Sequence, residues 1–339
     1  MADIVLGVGT SHTPQISSGW ELWTDHAKRD QGSPLLGADG EFHTFADLER
    51  ADDEKLRAEL APAVWESKQA RIEKGVTTLR ERIAAARLDV LVVIGDDQKE
   101  IFDEEAVPSI GLFGGDELWD YPPSGEHLER MSKFPGLAAA QWARHGDEPT
   151  PHRIHAGLTR HLAGELTAAD FDLTMASIQR DKHTLGHAFT FPRYRLGLSA
   201  AVPIVPVFLN TYYQPNVPSP RRCYALGQAI ADGIRSFGED LRVGVLASGG
   251  LSHFVVLEDW DRKILDYMAA DDGEALGAIP RRYFRSGTSE VLNWIAVAGA
   301  LKGAPMTVVD YVPGYRSMAG TGTGMGFVLW EPAAAPAAV

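Results

Sequence analysis

Five short stretches constrain this chain more than any other feature: Ile4 to Val8, Val90 to Ile94, Ile204 to Leu209, Val243 to Ala247 and Gly326 to Trp330. Each is about strand length and is apolar on both faces. A strand open to solvent on one side alternates polar and apolar residues, whereas one covered on both sides does not. Between these runs lie helical patterns. Ile72, Val76, Leu79 and Ile83 repeat as one amphipathic stripe that ends just before the Val90 run. The segments Pro220 to Phe237 and Thr288 to Leu301 read the same way. Strands alternating with helices predict an α/β layer architecture.

The 339 residues, 45% of them apolar, suffice for one large α/β domain. No repeat and no sharp linker divides them, so residues 1–332 read as one domain and residues 333–339 as a frayed tail. Two segments interrupt the rhythm. Residues 15–60 are polar and weakly periodic, and residues 103–150 carry several Pro and Gly; insertions of this size are rim loops or lids. The net charge of −14 argues against nucleic acid or anionic lipid as a partner. With a single cysteine, Cys223, no internal disulfide forms, and its place in an amphipathic helix predicts a core position. No leader-like stretch opens the chain, and the longest apolar candidate for a membrane, Leu196 to Leu209, is short and holds Pro203 and Pro206. A cytoplasmic protein is expected.

The segment "GVGTSHTP" (7–14) tests a phosphate-binding reading. A dinucleotide turn needs a helix opening directly after its glycines, and "SHTPQISSGW" starts one poorly. "GTGTGMG" (320–326) lacks the Lys-Ser/Thr of a phosphate loop and leads into a strand. Both fail. What the strand ends do carry is ligating side chains: His12 after the first run, "GDDQKE" (95–100) after the second, and His253 in "SGGLSHF" (248–254) after the fourth. Strand ends are where α/β folds gather their chemistry. Glu290 opens an apolar helix, where a carboxylate also suits the helix dipole. His183 and His187 stand four apart, but Gly186 and the missing Glu weaken a helix-borne metal pair. His152, His155 and His161 lie in a polar stretch and read as solvated. Serine chemistry gains no support, because no G-x-S-x-G elbow occurs.

Together these segments resemble the class III extradiol dioxygenases, the superfamily of the protocatechuate 4,5-dioxygenase catalytic subunit. The resemblance is carried in order by "GTSHTP", "VVIGDDQKEIF", the block from "PSPRRCYALG" to "LASGGLSHF", "SGTSEVLNWIAVAGAL" and "GTGMGFVLWEP". "GDDQKEIF" and the insertion before it are most similar to the 3-O-methylgallate dioxygenase branch. The resemblance implies an α/β sandwich with a central mixed sheet, outer helices and a deep cleft. It also implies non-haem Fe(II) that cleaves a catechol- or gallate-type ring with O2.

By resemblance, His12 corresponds to the first metal ligand, Glu290 to the carboxylate ligand and His253 to the acid/base histidine, with His187 near a second catalytic histidine. The family's second histidine ligand falls on Gln98, whose neutral amide is a weaker ligand than imidazole. Either Gln98 binds the metal, or another residue such as His43 does, or the fold serves a different use. An oxygenase for an aminophenol or hydroxylated heterocycle and a metal-free binding protein therefore stay open, as does a homodimer. No extension resembling the family's small helical subunit follows, which leaves the 15–60 insertion as the candidate cover of the cleft.

Overall fold

The computed structural model describes residues 1–181 and 183–333; the expected tail beyond Ala333 lies outside the described residues. Nine strands form the main sheet. They are β1 (Asp3–Thr10), β2 (Val90–Gly95), β3 (Ile110–Phe113), β4 (Thr174–Ala176), β5 (Ile204–Leu209), β6 (Arg242–Ser248), β7 (His253–Val255), β8 (Met306–Tyr315) and β9 (Thr321–Trp330). Their order is β7-β9-β1-β6-β2-β5-β3-β4, with β8 pairing β9 off this path. The centre, β1-β6-β2-β5, is parallel. Antiparallel partners flank it, β9 against β1 and β3 against β5. The architecture is the α/β fold expected from the pattern, with the central mixed sheet that the resemblance implied.

All five apolar runs are strands. Along β2 the side chains part to opposite faces as the pleat requires. Val90, Val92 and Ile94 join one core cluster, and Leu91 and Val93 join the other. The second cluster is covered by α1 (Pro62–Ala86), which buries the predicted stripe Ile72, Val76, Leu79 and Ile83, and by α2 (His187–Tyr194). The first is covered by α3 (Pro220–Ser236) and α4 (Val291–Ala300). Cys223 is fully buried there. No helix among the described residues is long and apolar enough to cross a membrane.

Some elements depart from expectation. The 103–150 segment is not wholly irregular, since β3 pairs inside the main sheet. The glycine run 320–326 lies largely within β9 rather than before it. His152 is buried, not solvated. It alternates inward on the strand Thr150–Arg153, which pairs with Glu117–Asp120, and its ring edge meets Tyr194 at 6.0 Å. Burial and the nearby Arg193 charge pull its pKa down to about 4. His155 caps the helix Ala156–Ala168 and His161 sits within it, bonded to Ser236; both are partly exposed.

The two insertions dock on each other. The backbone N–H of Gly136 donates to Asp25 at 2.8 Å, and the Trp142 indole donates to the Ser17 carbonyl at 3.1 Å. Arg316 grips both oxygens of the buried Asp30 at 2.8 Å, which ties the first insertion to the sheet. The insertions thus form one roof.

Candidate active site

Register sets the floor beneath that roof. Across the parallel strands Thr10 pairs Ser248, Ser248 pairs Gly95, and Gly95 pairs Phe208. The four strands therefore end level, and the residues just past them meet at one edge. Those residues are His12 after β1, Asp96 and Gln98 after β2, Tyr212 after β5, and the Gly249–His253 turn after β6. Glu290 is delivered from the other side of the turn, as the last residue of a short 3-10 segment (Gly287–Glu290) leading into α4.

His12 is 4% exposed and oriented by the Ser248 hydroxyl, 3.0 Å from its Nδ1. Its Nε2 is buried without a hydrogen-bond partner, although Glu290 Oε2 stands 3.4 Å away. The ligating atoms of His12, Asp96 and Glu290, all buried, lie within 4.8 Å of one another. An imidazole nitrogen left unpaired beside two buried carboxylates is costly for a protein alone and fits a cation.

Glu290 is held from several directions. Its Oε1 accepts from Tyr212 Oη at 2.6 Å and faces His253 Nε2 at 3.2 Å, and its Oε2 accepts from the Gly250 N–H at 2.6 Å. Burial opposes its charge, yet His253 and His12 outweigh that and keep the carboxyl well below its usual range. Asp96 behaves oppositely. Burial, reinforced by the Glu290 charge, pushes its pKa up to about 7. The pair is crowded with negative charge that a bound cation would relieve.

The acidic turn after β2 divides its labour. Asp96 points inward, and Asp97 turns back to accept from the N–H groups of Ile101 and Phe102 at 2.9 Å. Gln98 is half-buried, its amide donating to Asp96 Oδ2 at 3.0 Å with Glu290 Oε1 at 3.5 Å. His43 lies elsewhere, held by Asp39 on the 15–60 hairpin at 3.0 Å and lining a separate hollow. It does not join His12, Asp96 and Glu290. His183 and His187 do not pair either. The helix begins at His187, so the four-residue spacing never falls on helical backbone, and His183 faces Asp103 at 3.3 Å.

His187 packs its ring on that of His12, centroids 4.6 Å apart, and its Nδ1 bonds Glu100 at 2.6 Å. Burial and the Arg144 charge lower its pKa to about 4, so the ring is neutral. His253 shows the reverse shift. Burial alone would lower it, but the Glu290 charge and hydrogen bond and the Leu251 carbonyl, 2.9 Å from Nδ1, leave it raised. The ring fits because two neighbours lack side chains. A Cβ on Gly287 would fall 2.0 Å from the His253 ring, and one on Gly250 would fall 2.7 Å from it.

These groups open into a cleft of about 430 Å³. His12, Gln98, His187, Tyr212, His253 and Glu290 form its floor, while Arg29, Met131, Phe134, Leu137 and Arg144 reach in from the roof. Sequence reasoning missed Tyr212, although the rule that found His12 and His253 points to it, since "NTYY" directly follows the third apolar run. It passed over Arg29 and Arg144, which lie in irregular insertions with no periodicity to place them.

Among known proteins, the gallate dioxygenase of Pseudomonas putida is 36% identical over 160 residues, 43% of this chain and 46% of that one. The 2,3-dihydroxyphenylpropionate/2,3-dihydroxicinnamic acid 1,2-dioxygenase of Mycolicibacterium vanbaalenii is 28% identical over 183 residues, 54% of this chain and 48% of that one. The matches thus span about half the length of these relatives. A crystal structure of the uncharacterized protein JW3007 from Escherichia coli K12 aligns with 75% of this chain and 91% of its own, at 14% identity and a TM-score of 0.39. The family model described as the catalytic LigB subunit of aromatic ring-opening dioxygenase matches residues 61–326, and the chain belongs to that family.

Proposed function

We propose that the protein is an Fe(II)-dependent extradiol dioxygenase that opens the ring of a gallate- or catechol-type diol, the 3-O-methylated gallate ring included. The observation that carries this reading is the buried His12, Asp96 and Glu290 cluster at the level ends of the parallel strands. His12 and Glu290 hold the metal. Asp96 stands in for the histidine that the family resemblance would place at Gln98, and the Gln98 amide steadies the Asp96 carboxylate by donating to it. When bound, Fe(II) supplies open positions for a chelating diol and O2 together and passes electron density between them.

The remaining steps belong to side chains. His253 donates from Nδ1 to the Leu251 carbonyl, so Nε2, the nitrogen that faces Glu290, is the one left to exchange a proton. That atom takes a phenolic proton, and the adjacent Glu290 carboxylate stabilises the imidazolium that forms. His187, neutral and anchored by Glu100, presents Nε2 as an acceptor for a substrate hydroxyl. Tyr212 keeps its proton, because burial and the Glu290 charge raise its pKa well above the usual value, and so it holds Glu290 by donating.

The test is anaerobic loading with Fe(II), then O2 uptake with gallate, 3-O-methylgallate and 2,3-dihydroxyphenylpropionate. Near-stoichiometric iron and uptake matched to ring-opened product are expected. A protein that retains no iron after loading is a binding member of the family instead. The ligand assignment is checked separately by metal content: Asp96→Asn should weaken iron binding more than Gln98→Ala. The opposite order would make Gln98 the ligand.

A further inference from the structure

Arginines buried elsewhere in this protein have carboxylate partners. Arg195 meets Glu73 at 2.6 Å, and Arg316 meets Asp30 at 2.8 Å. The two arginines of the cleft do not. Among the described residues, neither the Arg29 nor the Arg144 guanidinium makes a hydrogen bond or an ion pair, and Arg144 Nε is buried with no partner. Arg29 lies over the Phe134 ring, 5.7 Å from its centroid. Both therefore face the same space with their donors unspent, in a chain whose net charge is −14.

Holding two guanidinium groups in one cleft is unfavourable without an anion. Burial lowers the pKa of each, and Arg29 also feels the charges of Arg316 and Arg144. The carboxylates that offset Arg144 electrostatically, Glu100, Glu290 and Asp96, do not pair with it. The planar fork of a guanidinium matches a carboxylate through two parallel hydrogen bonds. Met131, Phe134 and Leu137 add an apolar lining to the same cleft, suited to a benzene ring.

We propose that Arg144, assisted by Arg29, anchors a carboxylate of the aromatic substrate and so decides which edge of the ring faces His12, Asp96 and Glu290. The proposal rests on the ring-cleavage reading above and deepens it. The substrate class is an aromatic diol with an anionic substituent, and the two arginines fix its orientation. A neutral diol lacks the anchor and enters in either sense.

The test compares 3,4-dihydroxybenzoate with 3,4-dihydroxybenzamide, which differ in the charge of one substituent. Equilibrium binding to the full chain is measured without O2, both with and without Fe(II). The carboxylate should bind about 10- to 100-fold more tightly, the range expected for losing hydrogen bonds to a charged group. Arg144→Gln should remove most of that preference and Arg29→Gln a smaller part, both variants losing more affinity for the carboxylate than for the amide. Equal affinity of the wild type for the two ligands overturns the proposal and needs no variant to fold. So does a preference that survives Arg144→Gln. Ring cleavage without the preference refutes this inference and leaves the function standing. The preference without ring cleavage does the reverse.

Discussion

The floor and the roof of the cleft are built by different means. Apart from Glu290 and His187, which helix starts deliver, the floor residues lie within a few positions of a parallel strand's end, and except for His12 Nε2 their polar atoms are tied to neighbours at 2.6 to 3.5 Å. Glu290 is fixed by the Gly250 backbone and Tyr212, and His187 by Glu100. The roof comes from the insertions 15–60 and 103–150, with short helices such as Trp23–Asp30 and Pro135–Ala139, and it leaves its two cleft arginines unpaired. A site of this kind separates its tasks. Atoms that must stay within tenths of an ångström sit on sheet ends, and groups that choose among ligands sit on segments free to vary.

Breaking the floor should have the largest effect. His12→Ala removes the buried imidazole nitrogen that stands without a hydrogen bond beside Asp96 and Glu290. Iron content after anaerobic loading should fall by more than the roughly 10–100-fold that a lost outer-shell partner costs. Circular dichroism should be unchanged, and a variant with normal iron and turnover would mean that His12 is structural. Next comes His253→Ala, expected to keep its iron and lose about 10²- to 10⁴-fold in kcat, the range of a general acid or base. Equal loss of iron would make it a ligand instead.

The third prediction sharpens the contrast between support and chemistry. Gly287→Ala places a methyl group 2.0 Å from the His253 ring. The ring must move, so kcat should fall by about tenfold or more and stability by about 1–3 kcal/mol, the usual cost of overpacking. A crystal structure of the variant with His253 unmoved would contradict this.

The smallest effect belongs to the roof. His26 lies in the first insertion, bonded to the Ser18 hydroxyl at 2.9 Å and packed on Gly136 of the second. Burial, then the Arg316 and Arg29 charges, lower its pKa to about 3. A histidine depressed in the folded state stabilises it fully above the unfolded pKa near 6.5 and loses that contribution as pH falls toward about 3. At pH 5 the loss is about 2 kcal/mol. Hydrogen exchange in residues 23–30 and 135–140, corrected for intrinsic rates, should therefore speed up between pH 7 and pH 5. Exchange in β2 and β6 should change less. Uniform acceleration would mean that roof and floor open as one unit.

How much of this was legible in the sequence follows the same division. Continuous apolar runs announced the parallel strands, and ligating residues beside them announced His12, the Asp96–Gln98 turn and His253. Short strands such as β4 and the glycine-rich part of β9 were not legible, because pairing partners rather than residue type decide them. His152 was misjudged because burial in a two-stranded hairpin depends on what covers it. Arg29 and Arg144 had no signal at all, since nothing in an aperiodic insertion tells which side chains turn toward a cleft. Glu290 was visible through family resemblance, whereas its local setting also suited a helix-dipole role.

The level strand ends have one more consequence. His12, Asp96, His253 and Glu290 come from distant parts of the chain and meet only when β1, β2 and β6 are in register. A partly folded chain holds no more than one or two of them near each other, so it cannot hold the metal firmly. The assembly of long-range parallel pairs is also the slow part of folding. On the proposed function, metal uptake would therefore follow completed folding, and the walls of the cleft would be in place before any reaction began there.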